Sequence, residues 1–304
     1  MYVIPSEALR RARKSILASC LGASLLLPCL NAHALGISLG DWVSPSPGHP
    51  ILAWHVVQTN NHKIYQNNKV VNDKARMNIS STLVRYTYPV RVADNVVANP
   101  QFGVIAANIN SNRPSGLDDS AGLSDPFFTV PFFFTLDAEH REYFVVAPFV
   151  FFPVGRYDRD KSVNTGENRW HTAMQLGYQR QLVGNFNIEL MGEANFFTDN
   201  DKSGPDNGSL SQDPMYQVNA AVSYIFGQRL NNLVGGGVSH RWGGENHIDG
   251  QALDDRASST AVFMEVSSFF TAQDQVLLGV SRDIVVENGF KTDAELKFRY
   301  IHVF

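Results

Sequence analysis

Thiol, histidine and metal chemistry can each be tested against this sequence by position. Both cysteines, Cys20 and Cys29, fall within the first 30 residues, so nothing later can use a thiol as nucleophile, disulfide partner or ligand for zinc or an iron-sulfur cluster. A serine and histidine dyad for acyl hydrolysis on a strand needs both side chains on one face, hence two residues apart. Ser239 and His240 are adjacent and point to opposite faces, while His55, His171 and His302 have no serine at that spacing. Asp199-Asn200-Asp201-Lys202-Ser203-Gly204 opens like a calcium loop, but Leu210 stands where a bidentate glutamate belongs and Pro205 follows the glycine. Gly235-Gly236-Gly237 lacks the Lys-Ser/Thr and helix start of a phosphate loop and reads as small strand residues that allow close packing. No catalytic residue, metal or cofactor is expected.

Charged and amide side chains on alternating positions are a different signal. From Phe186 to Phe196, apolar residues interleave with Asn187, Glu189, Met191, Glu193 and Asn195, and similar alternation runs through 216–226 and 295–304. Period two is the signature of a strand with two unlike faces. The same rule predicts twelve strands, near 51–60, 77–89, 98–110, 125–136, 143–152, 170–182, 186–198, 215–226, 233–243, 259–271, 275–286 and 293–304. Most run to 10 residues or more, the length at which a tilted strand crosses a bilayer. Their connections alternate long and short, and the long ones, such as Asp199 to Asp213, are polar and rich in turn residues. An up-and-down transmembrane β-barrel has this asymmetry, and an even strand number puts both chain ends on the periplasmic side. A soluble sandwich or barrel would also alternate, but it would turn its polar face to water. Here the ionic face must be the lumen. The expected fold is all-β, a transmembrane up-and-down antiparallel barrel of about twelve strands and outer-membrane type.

Residues 10–14 are a basic cluster, Ser15 to Leu30 is apolar and Ala32-His33-Ala34 offers small residues for cleavage, the pattern of a secretory leader. The expected organisation is therefore a signal peptide over 1–34, removed, and a barrel domain over 35–304. The leader carries four of the 25 basic residues and one of the 29 acidic ones, which leaves the remainder at −7 and argues against nucleic acid as a partner. Terminal Phe304, with apolar or aromatic residues alternating before it, resembles the closing strand of bacterial outer-membrane barrels. It is the expected handle for the barrel-assembly machinery.

Pro47-Gly48-His49-Pro50-Ile51-Leu52 opens the first strand, Gly122-Leu123-Ser124-Asp125-Pro126 enters the fourth, and Pro153-Val154-Gly155-Arg156-Tyr157 leaves the fifth. In these three motifs the chain resembles the family of outer-membrane proteins associated with the meta-cleavage pathway of phenol degradation, over about residues 36 to 304. The strands after Asp125 depart from the expected pattern in being rich in phenylalanine. The resemblance implies passive passage of small hydrophobic or aromatic compounds across the outer membrane, with outer-membrane lipid and lipopolysaccharide as surroundings.

Within a twelve-stranded wall, the turn at Val183-Gly184-Asn185 sets Leu182 opposite Phe186, Gln179 opposite Glu189 and Gln175 opposite Glu193. The turn Ala272 to Asp274 sets Glu265 opposite Ser281 and Phe263 opposite Asp283. With Arg85, Lys297 and Arg299, these residues place both signs of charge inside the barrel. Two roles stay open for them, lining a polar path or satisfying a filled interior. Pro131 and Pro148 remove ladder donors inside assigned strands and are expected to oppose each other, as a kink or side opening or as ordinary bulges. The competing functions are an outer-membrane hydrolase of phospholipase type and a surface structural or receptor barrel that transports nothing.

Overall fold

The computed structural model describes residues 37–304 apart from Pro205 and residues 228–230, so the leader expected over 1–34 lies outside the described residues. The wall is built from β1 (Ile51–Gln66), β2 (Lys69–Thr87), β3 (Val90–Ala93), β4 (Val96–Ala98), β5 (Gln101–Ser111), β6 (Ser120–Leu123), β7 (Phe127–Thr129), β8 (Phe132–Asp137) and β9 (Glu142–Phe151). It continues through β10 (His171–Val183) and β11 (Phe186–Phe197). Beyond a loop hairpin of β12 (Asn200–Ser203) and β13 (Gly208–Gln212) come β14 (Met215–Phe226) and β15 (Asn232–Gly243). A second loop hairpin, β16 (Asn246–Ile248) and β17 (Gln251–Ala252), precedes β18 (Ala257–Phe269) and β19 (Asp274–Val303).

Antiparallel pairing runs β1-β2-β5-β7-β9-β10-β11-β14-β15-β18-β19 and returns from β19 to β1, which closes the sheet into a ring, with β8, β4 and β3 branching from β9 and β6 from β5. Among the described residues eleven strand elements make this ring. β19 fills two places, because residues 275–288 pair with β18 and residues 289–303 with β1, the chain folding back at Gly289 with φ 94°. Twelve wall positions result, and the amide of Phe304 bonds to the Pro50 carbonyl at 2.9 Å, so both ends of the barrel chain share one rim. That terminal rim carries short turns, as at Gly184-Asn185, whereas the long segments between β9 and β10, β11 and β14, and β15 and β18 lie at the far rim. There β12, β13, β16 and β17 form a small separate sheet.

The alternation sorts side chains as a membrane barrel requires. On β10, His171, Ala173, Gln175, Gly177 and Gln179 are buried inward while Thr172, Met174 and Leu176 face out. Outward residues across the wall are large and apolar, among them Trp54, Phe102, Leu190, Val222 and Leu278. So extensive an apolar exterior would be an aggregation surface in water and is a lipid surface here. Tyr216 stacks on Trp242 at 5.6 Å, part of an aromatic belt.

Several sequence expectations are corrected. Residues 61–76, expected as a long loop, are mostly strand, because Asn67-Asn68 with φ of 51° and 63° makes a two-residue turn and polar alternation beyond the lipid level carries no apolar signal. Residues 90–97 are likewise mostly strand, β3 and part of β4. Glu265 lies opposite Gly279 and Phe263 opposite Ser281, a shift of two that leaves the inward face unchanged. The Thr271 hydroxyl accepts the Gln273 and Asp274 amides at 3.1 and 2.9 Å and widens that turn. Val183, not Leu182, pairs with Phe186, across an irregularity at the end of β10. Pro131 and Pro148 do not oppose each other. Thr129 pairs with Phe149 and Phe132 with Val146, so Val130 lies across from Pro148 and Pro131 across from Ala147. Pro131 is buried inward and Pro148 is exposed outward. The register is the same on both sides of this break, so the prolines interrupt the ladder without a bulge.

Candidate functional site

The interior is occupied by the segment that precedes β1. Its first turn is closed by the Asp41 amide bonding to the Ser38 carbonyl at 3.1 Å, with Gly40 at φ 84° supplying a left-handed backbone. The Asp41 carboxylate accepts the Ser38 amide at 3.0 Å. Two wall carboxylates hold this turn by its backbone: Glu265 accepts the Leu39 amide at 2.7 Å and Glu189 accepts the Gly40 amide at 2.9 Å. Arg299 pairs with Asp41 at 2.6 Å, and Lys297 reaches Glu265 at 2.9 Å and the Ser38 hydroxyl at 3.4 Å. A buried carboxylate is tolerable only with such donors, so each charge is matched where it sits.

Apolar contacts seat the plug. Trp42 is 5% exposed and packs with Val97, Phe133, Val145 and Met191. It fits because residue 177 is glycine: a Cβ there would lie 2.3 Å from the indole ring. Gly235 makes similar room for Leu39, whose Cδ1 would meet a Cβ at 2.8 Å. A Gly177→Ala variant is therefore expected to cost the docked plug about 1–3 kcal/mol through overpacking against a rigid ring. With Trp54, Trp170 and Trp242 replaced by phenylalanine, Trp42 emission should shift to the red in that variant; an unshifted spectrum would mean the ring has another seat.

The plug divides the lumen. Towards the terminal rim lies a cavity of about 470 Å³, lined by Arg85, Gln175, Gln179, Glu189 and Arg299 together with Leu83, Phe133, Phe149 and Ile301. Towards the far rim a chamber of about 80 Å³ is lined by Glu265, Asp283, Glu295, Lys297 and Arg241. Beyond it Ile64, Met77, Ile109, Val163 and Phe290 form a buried apolar cluster. Of the residues singled out in the sequence, Glu189, Glu265, Lys297 and Arg299 meet on the plug. Arg85 and Gln179 border the larger cavity, and Gln175 donates to Glu193. Asp283 accepts the Thr292 amide at 2.7 Å inside the wall. Pro131 borders the larger cavity, beside Phe133, Ala147 and Phe149.

The sequence singled out neither Asp41 nor Trp42. Both sit in a Pro- and Ser-rich stretch with no alternation, which carries no sign of what it docks against. It also did not foresee that two of the quoted motifs meet. Asp125 accepts the Gly155 amide at 2.7 Å and the Glu167 amide at 2.8 Å, and the Arg156 amide bonds to the Leu123 carbonyl at 2.8 Å. The loop after β9 is thereby clasped to the break between β6 and β7, next to a stack of Phe151, His171 and Phe197. Ser239 lines the smaller chamber, while His240 stacks on Trp242, so the two do face opposite ways.

Burial pushes the Asp41 carboxyl up, but Arg299, Arg85 and the Ser38 amide outweigh it and hold it below the usual aspartate range. An acid with a depressed folded-state pKa contributes stability that is complete above its unfolded value and is lost as pH falls through the folded one. The part of the docking that rests on the Asp41–Arg299 pair should therefore be constant above the usual aspartate range and be lost only in stronger acid, read as a rise in single-channel conductance there. An Asp41→Asn variant should lack that acid step; an acid step that survives in the variant would assign it to another group.

The sequence profile of the family described as "Putative MetA-pathway of phenol degradation" matches residues 59–297. The COG4313 outer membrane channel from Pseudomonas putida F1 is similar in structure, with a TM-score of 0.85 and 30% identity over 88% of this chain and 100% of that one. The β domain of the Bordetella autotransporter BrkA aligns with a TM-score of 0.50 and 10% identity, over 85% of this chain and 100% of that one, a likeness of fold alone. The CymD monoaromatic hydrocarbon channel gives a TM-score of 0.49 and 10% identity, over 88% of this chain and 92% of that one. No curated protein sequence matches.

Proposed function

Since this chain belongs to the family described as "Putative MetA-pathway of phenol degradation" and lies in the bacterial outer membrane, we propose that it is a channel for passive entry of small hydrophobic or aromatic compounds. The observation that carries the reading is the plug between two chambers: Leu39 and Trp42 stand where a water-filled pore would run, so wide aqueous flow is opposed. The larger cavity is amphipathic and lies against the interrupted ladder at Val130-Pro131, where the outer side presents Pro148 to lipid. Arg85, Gln175, Gln179, Glu189, Glu193, Glu265, Asp283, Lys297 and Arg299 line the polar part of the path, and Glu189, Glu265, Lys297 and Arg299 among them hold the plug. Pro131 and Pro148 mark a side opening through which an apolar compound exchanges between cavity and membrane.

In the same reading residues 1–34 are a leader removed on export and residues 35–304 the barrel domain. Lipopolysaccharide covers the outer leaflet around the wall, and the assembly machinery takes the last strand by Phe304, whose side chain is exposed. The chain is not an enzyme. Whole cells give the test, because a lipopolysaccharide leaflet retards hydrophobic solutes. A host producing this chain should take up a dilute neutral aromatic such as toluene faster than the same host without it, while sugars of equal size gain little. Equal rates for toluene would sink the proposal, and rapid sugar entry would favour an open porin.

A further inference from the structure

Among the described residues, the cavity at the terminal rim holds a guanidinium, that of Arg85, that is bonded to no acceptor and meets Asp41 only through space. Its titratable lining is Arg85, Arg141, Arg299, His55, Asp41 and Glu189. Asp41 is taken by Arg299 at 2.6 Å, and Glu189 by the Gly40 amide at 2.9 Å and the Ser223 hydroxyl at 2.8 Å. Arg299 is 2% exposed and, besides Asp41, donates to Gln275 at 3.2 Å. Arg85 extends inward from β2, in register with Ala53 on one side and Gly103 on the other, and the Phe127 ring packs over Gly103. Among the described residues Arg85 donates no hydrogen bond, and its Nε is enclosed without a partner. Beside it, Leu83, Phe133, Phe149 and Ile301 supply an apolar surface in the same cavity. Arg141, in the turn between β8 and β9, adds a second cation to the lining.

A half-buried arginine whose Nε is enclosed without a partner and whose fork is bonded to no acceptor is a costly arrangement for a site that takes only neutral hydrocarbons. Its planar fork fits a carboxylate with two parallel hydrogen bonds. We infer that the cavity is a binding site for the carboxylate of a small aromatic or aliphatic acid, with Arg85 as the anion-binding residue and the phenylalanine side holding the apolar body. The inference rests on the channel reading for its biological sense, since it names the class of compound that the channel prefers. The oxygens of Asp41 accept from Ser38 and Arg299 and those of Glu189 from Gly40 and Ser223, so neither carboxylate bonds the Arg85 fork, and Arg141 steers the anion.

The test uses the full mature chain in detergent, titrated calorimetrically with benzoate and with benzyl alcohol as a neutral compound of like size. Wild type should bind benzoate more tightly than the alcohol. Arg85→Gln should weaken benzoate by about 10- to 100-fold, the range of a charged hydrogen-bonded pair, and leave the alcohol unchanged. Arg85→Lys keeps the charge without the fork and should fall between, which preserves the test if the glutamine variant loses its heat-modifiable gel mobility. Equal affinities for acid and alcohol in wild type, or benzoate binding indifferent to Arg85, overturns the site. If benzoate binds through Arg85 while cells producing the chain take up no toluene, the site stands and the channel reading falls. If toluene enters and benzoate does not bind, the reverse holds.

Discussion

Deleting residues 37–49 is expected to raise single-channel conductance by about tenfold, because a twelve-stranded lumen, between the filled interior of about eight strands and the open channel of about sixteen, is held shut mainly by its contents. The barrel itself should survive. Pro50 keeps its bond to the Phe304 amide, β1 begins at Ile51, and Glu265 retains Lys297 at 2.9 Å after losing the Leu39 amide. Glu189 retains the Ser223 hydroxyl at 2.8 Å, and Arg299 keeps Gln275 at 3.2 Å, so the freed charges are not stranded. Planar-bilayer recording on refolded protein reads the outcome directly. An unchanged conductance would move the barrier to the far rim, where Met77, Ile109, Val163 and Phe290 are buried together.

The second large effect concerns the wall. Val130 lies across from Pro148 by the register that β7 and β8 share with β9. Facing residues on paired strands hold their Cβ atoms about 4.5–5.5 Å apart, within a small adjustment of what a disulfide requires. Both native cysteines precede residue 30, so Val130→Cys with Pro148→Cys introduces the only thiols of the mature chain under the expected cleavage. When oxidised, this staple should bring toluene uptake down to that of cells lacking the chain, and a reductant should restore it. Ion conductance should not change, since the staple lies in the wall and not the lumen. Full uptake through a completely oxidised wall would send the compound out by the open rim of the cavity instead.

Legibility in the sequence varied with the range of the interaction. In the segment 186–197 every second residue faces the lumen because side chains on a strand alternate, and Gln175–Glu193 and Gln179–Glu189 pair as the Gly184-Asn185 turn dictates. Where a turn was misjudged by two residues, as at Thr271, the partner of Glu265 changed but its face did not. The expected opposition of Pro131 and Pro148 failed by one residue. A slip of one reverses the face, so one proline looks into the cavity and the other into lipid.

What the residues alone determined is the wall: twelve passes, an apolar outside, an ionic inside and no cysteine after residue 29, all of which follow from period two and composition. Only the closed tertiary structure decided what the wall encloses. That Asp41 meets Arg299, that Trp42 needs Gly177 and that Arg85 comes to face Asp41 depend on side chains far apart in sequence, some more than 250 residues, brought together by closure of the sheet. Alternation specifies the direction of a side chain and carries no record of its neighbour across the lumen.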